Sequence, residues 1–417
     1  MSSTPIDQAR LWDDLMALAA ITDPERPYTR RSFSPRFLEG REWLRRRFEE
    51  AGLKVRMDAG ANLIGRMDGA EQDARVIMLG SHSDTVPSGG RFDGPAGIIA
   101  ALEVVRAMQA ARYRPRHAIE VVDFLAEEPS EYGVSCVGSR AMAGALDDKL
   151  LAFTDPSGEK LADAIRRVGG DPNKLADARR ADIAGFFELH IEQGAVLQNR
   201  KIDLGLVTAI VGITRLEIVF DGSADHAGTT PMDSRRDAAL AAAQLTLFVS
   251  ERARDFARRG NGHFVATTGI LDIRPNAANV VPGQARMVLD IRAENPALIG
   301  EFAAALDAES KSIAARVNVD RTRYAVLSST SPTICDAGLR ELLARGASGL
   351  GYSTMPLASG AGHDTAFVAR IAPAAMLFVP CRDGKSHAPE EWAEPDALAA
   401  GAATLFEAVR LLDGQHS

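Results

Sequence analysis

Residues 80–97 read GSHSDTVPSGGRFDGPAG, and His82, Asp84 and Asp93 within them form a compact set of metal-binding and metal-orienting side chains on a glycine-rich turn. An imidazole nitrogen suits zinc or a similar divalent ion, and a carboxylate can serve two ions at once. Asp84 follows His82 by two residues, placed to accept the other ring N–H and hold the tautomer. Alone, such a pattern is more often a hydrogen-bonded loop, because short motifs recur by chance. Three further segments carry the same chemistry. AIEVVDFLAEEPS (118–130) ends in the acid pair Glu127 and Glu128, FFELHIEQG (186–194) places His190 after an apolar run, and RDGKSHAP (382–389) carries His387. Two adjacent acids leaving a sheet can face different ways, one as ligand and one as proton carrier. Five potential ligands from these segments, two of them carboxylates, match a pair of divalent ions sharing a bridging acid and a water, an arrangement suited to hydrolysis.

The elements around these groups explain how they could meet. The apolar run 76–79 reads as a buried strand and 98–108 has helical spacing, so the first group lies where a strand hands over to a helix. In open α/β sheets that edge is where ligands bind. The runs 118–125, 186–189 and 374–379 are strand-like in the same way, which would bring every candidate to one edge of one sheet. Helical patterns cover 7–20, 35–52, 336–350 and 395–412, and 140–184 is helix-rich and charged. From Gly212 the rhythm becomes strand (213–220), helix (234–258), strands (264–273 and 284–292), helix (297–315) and strand (317–324), the βαββαβ order of a ferredoxin-like unit. The expectation is an α/β catalytic domain, 1–211 and 328–417, interrupted by an inserted ferredoxin-like domain, 212–327, to which the resemblance set out below adds a lid and dimerisation role.

With 417 residues the chain exceeds one ordinary core, and 46% hydrophobic with 25% charged residues is a globular composition. A net charge of −8 provides no basic field for nucleic acid or an anionic membrane, and no run approaches a bilayer span. Cys136, Cys335 and Cys381 are far apart and odd in number, against a disulfide framework and for a reducing cytoplasm. The opening MSSTPIDQARLWDDLMALAA reads as an amphipathic helix rather than a signal peptide.

The segments GSHSDTV, GGRFDGPAG, FLAEE, ELHIEQG, ADHAGTTPM, RPNAANVVPG, DIR, SGAGHD and SHAP occur in an order that closely resembles the hydantoinase and carbamoylase branch of the M20 metallopeptidase superfamily. That branch includes N-carbamoyl-L-amino-acid hydrolases, β-ureidopropionases and allantoate amidohydrolases. The resemblance implies that His82, Asp93 and His190 hold one metal and Asp93, Glu128 and His387 the other, with zinc, manganese, cobalt or nickel as candidates. It makes Glu127 the general base. It implies that His226 donates to the oxyanion across a homodimer interface, that Asn279 and Arg292 bind the substrate carboxylate, and that Gln193 and His363 make further substrate contacts. Closure of the two lobes about 208–212 and 328–333 is a further expectation. His117, His263 and His416 match no motif and read as structural or surface residues.

One departure is Pro129 and Glu131 in EEPSEYG, where relatives often carry Gly and, shortly after, Arg; it bears on substrate preference. The expected activity is hydrolysis of N-carbamoyl-L-amino acids or related ureido compounds. The alternatives are an N-acyl-amino-acid hydrolase or dipeptidase using the same metals, or a catalytically silent ligand-binding relative, which intact ligands and base disfavour.

Overall fold

The computed structural model describes residues 5–414, so His416 lies outside the described residues. The strands, in chain order, are β1 (Lys54–Met57), β2 (Leu63–Met67), β3 (Val76–His82), β4 (Ile119–Phe124), β5 (Ile183–Ile191), β6 (Leu204–Ile210), β7 (Gly212–Asp221), β8 (Phe264–Arg274), β9 (Gln284–Ala293), β10 (Asp320–Thr330), β11 (Thr333–Ile334), β12 (Thr354–Ser359) and β13 (Ala374–Val379). They divide between two compact units.

The larger unit runs through Thr208, continues over Ile334–Leu357 and resumes at His363. Its sheet has the order β1-β2-β4-β3-β5-β13-β6-β11, with β12 beside β6. The four neighbours β4, β3, β5 and β13 run parallel, and antiparallel pairs flank them. Every residue of β3, β4 and β13 is buried. That continuous burial follows from layers on both faces, as parallel sheets require. Ile77, Leu79, Val121, Phe187 and Leu189 join the core built with helices Pro95–Ala110 and Pro395–Gly414, while Met78, Val122, Phe124 and Phe186 pack with Met142 and Val368 on the other side. His190 and Glu188 alternate with Leu189 and so share the face of Phe186.

The smaller unit is Ala209–Thr333 with Ala358–Gly362. Its four strands are antiparallel in the order β10-β7-β9-β8, and the chain order is βαββαβ. Leu216, Ile218, Phe220, Met287, Leu289 and Ile291 form a core with Leu245, Val249, Phe256, Phe302 and Leu306 of helices Ala238–Arg258 and Pro296–Arg316. The first of these helices starts later than the expected 234. Residues Met232–Ser234 form a 3-10 turn, Arg235 is extended, and Asp237 caps the helix by accepting the N–H groups of Ala239 and Leu240. Strand β10 runs past the expected end at 324 because residues 325–330 go on pairing with β7; its last five residues are exposed and carry no apolar alternation to mark them in the sequence. Strands β6 and β12 also lie outside the sequence expectation.

Candidate metal centre

The C-terminal ends of the four parallel strands carry the candidate residues. His82 ends β3, Glu127 and Glu128 follow β4, His190 is next to last in β5, and His387 follows β13. Asp93 sits on the turn after β3, followed by Gly94 at φ +82, where a Cβ would approach His82 Cε1 to 2.4 Å. Asp93 is the hub. Its Oδ1 lies 3.1 Å from His190 Nε2 and 3.7 Å from His82 Nε2, and its Oδ2 lies 3.0 Å from His387 Nε2. Glu128 Oε1 is 3.2 Å from His387 Nε2, and Glu127 Oε2 is 3.8 Å from His82 Nε2.

The ring nitrogens reveal which atoms are available. His82 Nδ1 donates to the Asp84 carbonyl at 3.0 Å and His190 Nδ1 to the Ile191 carbonyl at 2.9 Å, so each Nε2 can present its lone pair to Asp93. His190 Nε2 is buried without a hydrogen bond although a carboxylate oxygen stands 3.1 Å away. Two lone pairs facing each other call for a cation. Ligands at about 2.1 Å from a tetrahedral ion are about 3.4 Å apart, which is the spacing of these atoms. The groups His82–Asp93–His190 and Asp93–Glu128–His387 each offer ligand atoms within 4.8 Å of one another. The residues therefore fit divalent ions, and several buried carboxylates together need positive charge to offset their desolvation.

The electrostatics agree. The Asp93 and Glu128 hydrogen bonds raise the His387 pKa to about 10. Burial opposes charge on His82 and His190, yet contacts with Asp84 and Asp93 outweigh it and hold both rings more basic than usual. Asp93 is buried too, but the His190 and His387 contacts hold its carboxyl well below the ordinary range. Glu127 behaves oppositely: burial drives its carboxyl well above the ordinary range, His82 opposes this, and Glu128, Asp364 and Asp84 add to it.

Asp84 acts differently from expectation. Its backbone carbonyl, not its carboxylate, makes the short bond to His82; the nearest carboxylate oxygen is 3.5 Å away. The carboxylate instead accepts the Glu127 and Glu128 N–H groups, both at 3.2 Å, and the Ser32 hydroxyl at 2.7 Å. Asp84 thus fixes the backbone that presents the acid pair. That pair is also held by Cys136, whose N–H donates to the Glu127 carbonyl at 2.9 Å and whose thiol lies 3.4 Å from Glu127 Oε1. Glu131, part of the departure from the family pattern, is exposed and pairs with Arg31 at 2.5 Å.

Gln193 donates to Asp93 Oδ2 at 2.7 Å. His363 is buried with its ring edge against His190, centroids 4.5 Å apart, and burial holds its pKa well below normal. A third group, Glu188, His190 and His363, has ligand-like spacing, but Glu188 is engaged by the Ser81 hydroxyl at 2.8 Å and the Thr365 hydroxyl at 2.5 Å. In the smaller unit, the His226 and Asn279 loops are joined by the bonds Ala227 N–H to Asn279 O (2.9 Å) and Val281 N–H to Asp225 O (2.8 Å). Arg292 on β9 donates to Asp290 at 2.7 Å and to the Gly360 carbonyl at 2.7 Å. Sequence reasoning gave no site role to Ser32, Cys136, Glu188, Asp364, Ser386 or Glu391, although Glu188 lies in ELHIEQG, Asp364 in SGAGHD and Ser386 in SHAP.

A doubly covered parallel sheet with clustered imidazoles and carboxylates at its strand ends defines a metal-dependent hydrolase. The family model for peptidase family M20/M25/M40 matches residues 78–411, and the chain belongs to that family, in its hydantoinase and carbamoylase branch. It is similar to the N-carbamoyl-L-amino acid amidohydrolase of Geobacillus stearothermophilus, 38% identical over 97% of this chain and 98% of the relative. It is 32% identical to the ureidoglycolate hydrolase of Arabidopsis thaliana over 97% of this chain and 86% of that one. A hydantoinase/carbamoylase family amidase from Burkholderia multivorans has a similar crystal structure, with a TM-score of 0.90, 33% identity and 98% of each chain covered.

Proposed function

We propose that this chain hydrolyses the ureido C–N bond of N-carbamoyl-L-amino acids or closely related ureido acids, using two divalent ions. The observation that carries the reading is Asp93, with one carboxylate oxygen facing His82 and His190 and the other facing His387. His82, Asp93 and His190 would hold one ion, and Asp93, Glu128 and His387 the second. Such ions supply Lewis acidity to the attacking water and to the carbonyl.

The chain's own groups do the rest. Glu127, buried and strongly proton-seeking, takes the water's proton and delivers it to the leaving nitrogen. Asp84 keeps the Glu127 and Glu128 backbone in place while this happens. His226 accepts the Gly228 N–H at Nδ1 (3.0 Å), which leaves Nε2 protonated and suited to donate to an oxyanion. Arg292 retains N–H groups beyond its bonds to Asp290 and Gly360, and with Asn279 it takes the substrate carboxylate, for which its planar fork is matched. Gln193 and His363 complete the substrate contacts. Buried free cysteines suit a reducing cytoplasm, and no helix among the described residues is long and apolar enough to cross a membrane.

A second copy completes the reading, because His226 is proposed to act in the partner's site. Strand β8 is an edge of its sheet with Val265, Ile270 and Leu271 exposed, and Leu240 and Leu247 of helix Ala238–Arg258 are exposed as well. The deciding experiment is ammonia and amine release from a panel of N-carbamoyl, N-acyl and dipeptide substrates plus allantoate. Ammonia together with a free amino acid from the carbamoyl compounds is the expected result. Amine from acyl or peptidyl compounds alone would move the enzyme to the N-acyl-amino-acid hydrolases.

A further inference from the structure

Glu391 is a fully buried carboxylate with no part in the chemistry above. It ties together two loops that are far apart in the chain. Oε1 accepts the N–H groups of Phe92 (2.7 Å) and Asp93 (3.1 Å). Oε2 accepts the Ser386 hydroxyl at 2.8 Å, and that hydroxyl also lies 2.9 Å from Asp93 Oδ2. A Cβ at Gly90 would fall 1.9 Å from Glu391 Oε1, so the glycine opens the seat that this carboxylate fills.

The two candidate ion sites differ in how their imidazoles are held. His82 and His190 stand on buried strand ends, each with Nδ1 bound to a backbone carbonyl. His387 stands on a loop with left-handed backbone (φ +55), and its side chain is 48% exposed. Its neighbour Ser386 is the residue that Glu391 grips. Loss of the grip would free the His387 loop and leave the two strand-borne imidazoles where they are.

We propose that Glu391 is a positioning residue that laces the Asp93 loop to the His387 loop, through Ser386, and so forms the second ion site, Asp93–Glu128–His387. The inference rests on the two-ion reading above. It is distinct from a general structural role, which would affect both sites alike.

The test titrates metal-free wild type, Ser386→Ala, Glu391→Ala and Glu391→Gln with Co²⁺ by calorimetry and absorption, and records the melting temperature of each metal-free chain. Wild type is expected to take two ions. Ser386→Ala and Glu391→Ala should retain the first and weaken the second by roughly tenfold or more, the usual effect of losing a group that orients a ligand. Glu391→Gln keeps an acceptor for the two N–H groups and can donate to Ser386, so it should stay close to wild type. Ser386→Ala removes only a hydroxyl, and it carries the test if Glu391→Ala does not fold. A Ser386→Ala chain with both binding events unchanged overturns the proposal, as does equal weakening of both events. A wild type that takes no second ion overturns the two-ion reading and this inference with it; two ions in wild type and in Ser386→Ala with equal affinities overturn the inference alone.

Discussion

Glu127 and Asp93 are both buried acids, yet their surroundings push them in opposite directions. Burial raises each, but Asp93 faces His190 and His387, whereas Glu127 has only His82 to set against Glu128, Asp364 and Asp84. That contrast suits the proposed roles, Asp93 as an ionised ligand and Glu127 as the proton carrier. Glu127→Gln keeps the shape and removes the proton acceptor. Turnover should fall about 10²- to 10⁴-fold, the range for loss of a general base, with metal content nearly intact. Ammonia-release kinetics and elemental analysis on one preparation check this. Metal lost in proportion to activity would instead place Glu127 among the ligands.

The elements set the precision of the site, and two positions test that. At Gly94 the backbone is left-handed and an added Cβ would meet the His82 ring at 2.4 Å. Gly94→Ala should therefore cost about 1–3 kcal/mol through strain at φ > 0 and displace His82, lowering both stability and metal content. Thermal unfolding with and without added metal measures the two separately. Far from the site, Asp413 fastens helix Pro395–Gly414 to the segment before β4. It accepts the Tyr113 hydroxyl at 2.6 Å and the N–H groups of Arg116 and His117, both at 3.0 Å, and its Oδ1 is 2.8 Å from His117 Nδ1. Burial alone would raise its pKa, but these donors outweigh it and hold the carboxyl below its ordinary 3.8. A depressed folded pKa means that the stability it adds is present above 3.8 and is lost as pH falls through the folded value. Asp413→Asn should be less stable than wild type at neutral pH, with the gap closing on acidification. Urea unfolding across pH 2.5–7 (about the range where a carboxylate titrates) would show it, and a constant gap would remove Asp413 from the acid response.

How much of this was readable in the sequence follows from the same elements. The parallel strands at 76–82 and 374–379 hold the unbroken apolar runs VIML and AAMLFV, 119–124 is apolar except for Glu120 and Asp123, and each strand leads to a polar candidate group, so both their existence and the edge they serve were legible. The ferredoxin-like order was legible from alternation in β7 and β9. Strand β12 and the end of β10 were not, because they contribute little to a core and leave no hydrophobic period. Candidate ligands could be named from spacing and resemblance, but the partners that hold them in place could not. The Asp84 carboxylate reaches Glu127 and Glu128 across 43 and 44 positions, and Glu391 reaches Phe92 across 299. His117 was read as an ordinary structural residue, and its bond to Asp413 spans 296 positions. Pairings of that range arise only once the sheet has brought the strand ends together.

At the scale of the whole molecule, the smaller unit displays surface that a solvated domain would be expected to cover. β8 is an edge strand whose Val265, Ile270 and Leu271 are exposed at 42–46%, and Leu247 of the neighbouring helix is exposed at 66%. A groove of about 460 Å³ lies between that helix and β8, lined by Val249, Ala253, Ala257, Phe264 and Ala266 among others. Unpaired strand edges beside apolar surface invite pairing with another chain, and a second copy in a two-fold arrangement is the occupant that closes without forming a fibre. Leu247→Glu combined with Ile270→Lys should give a monomer by sedimentation velocity. Because His226 is proposed to act in the partner's site, the monomer should lose most of its turnover while its own donor sets, all in the larger unit, keep their metal. A fully active monomer would return His226 to a role within its own subunit, and a dimer that survives both charges would move the interface to another surface.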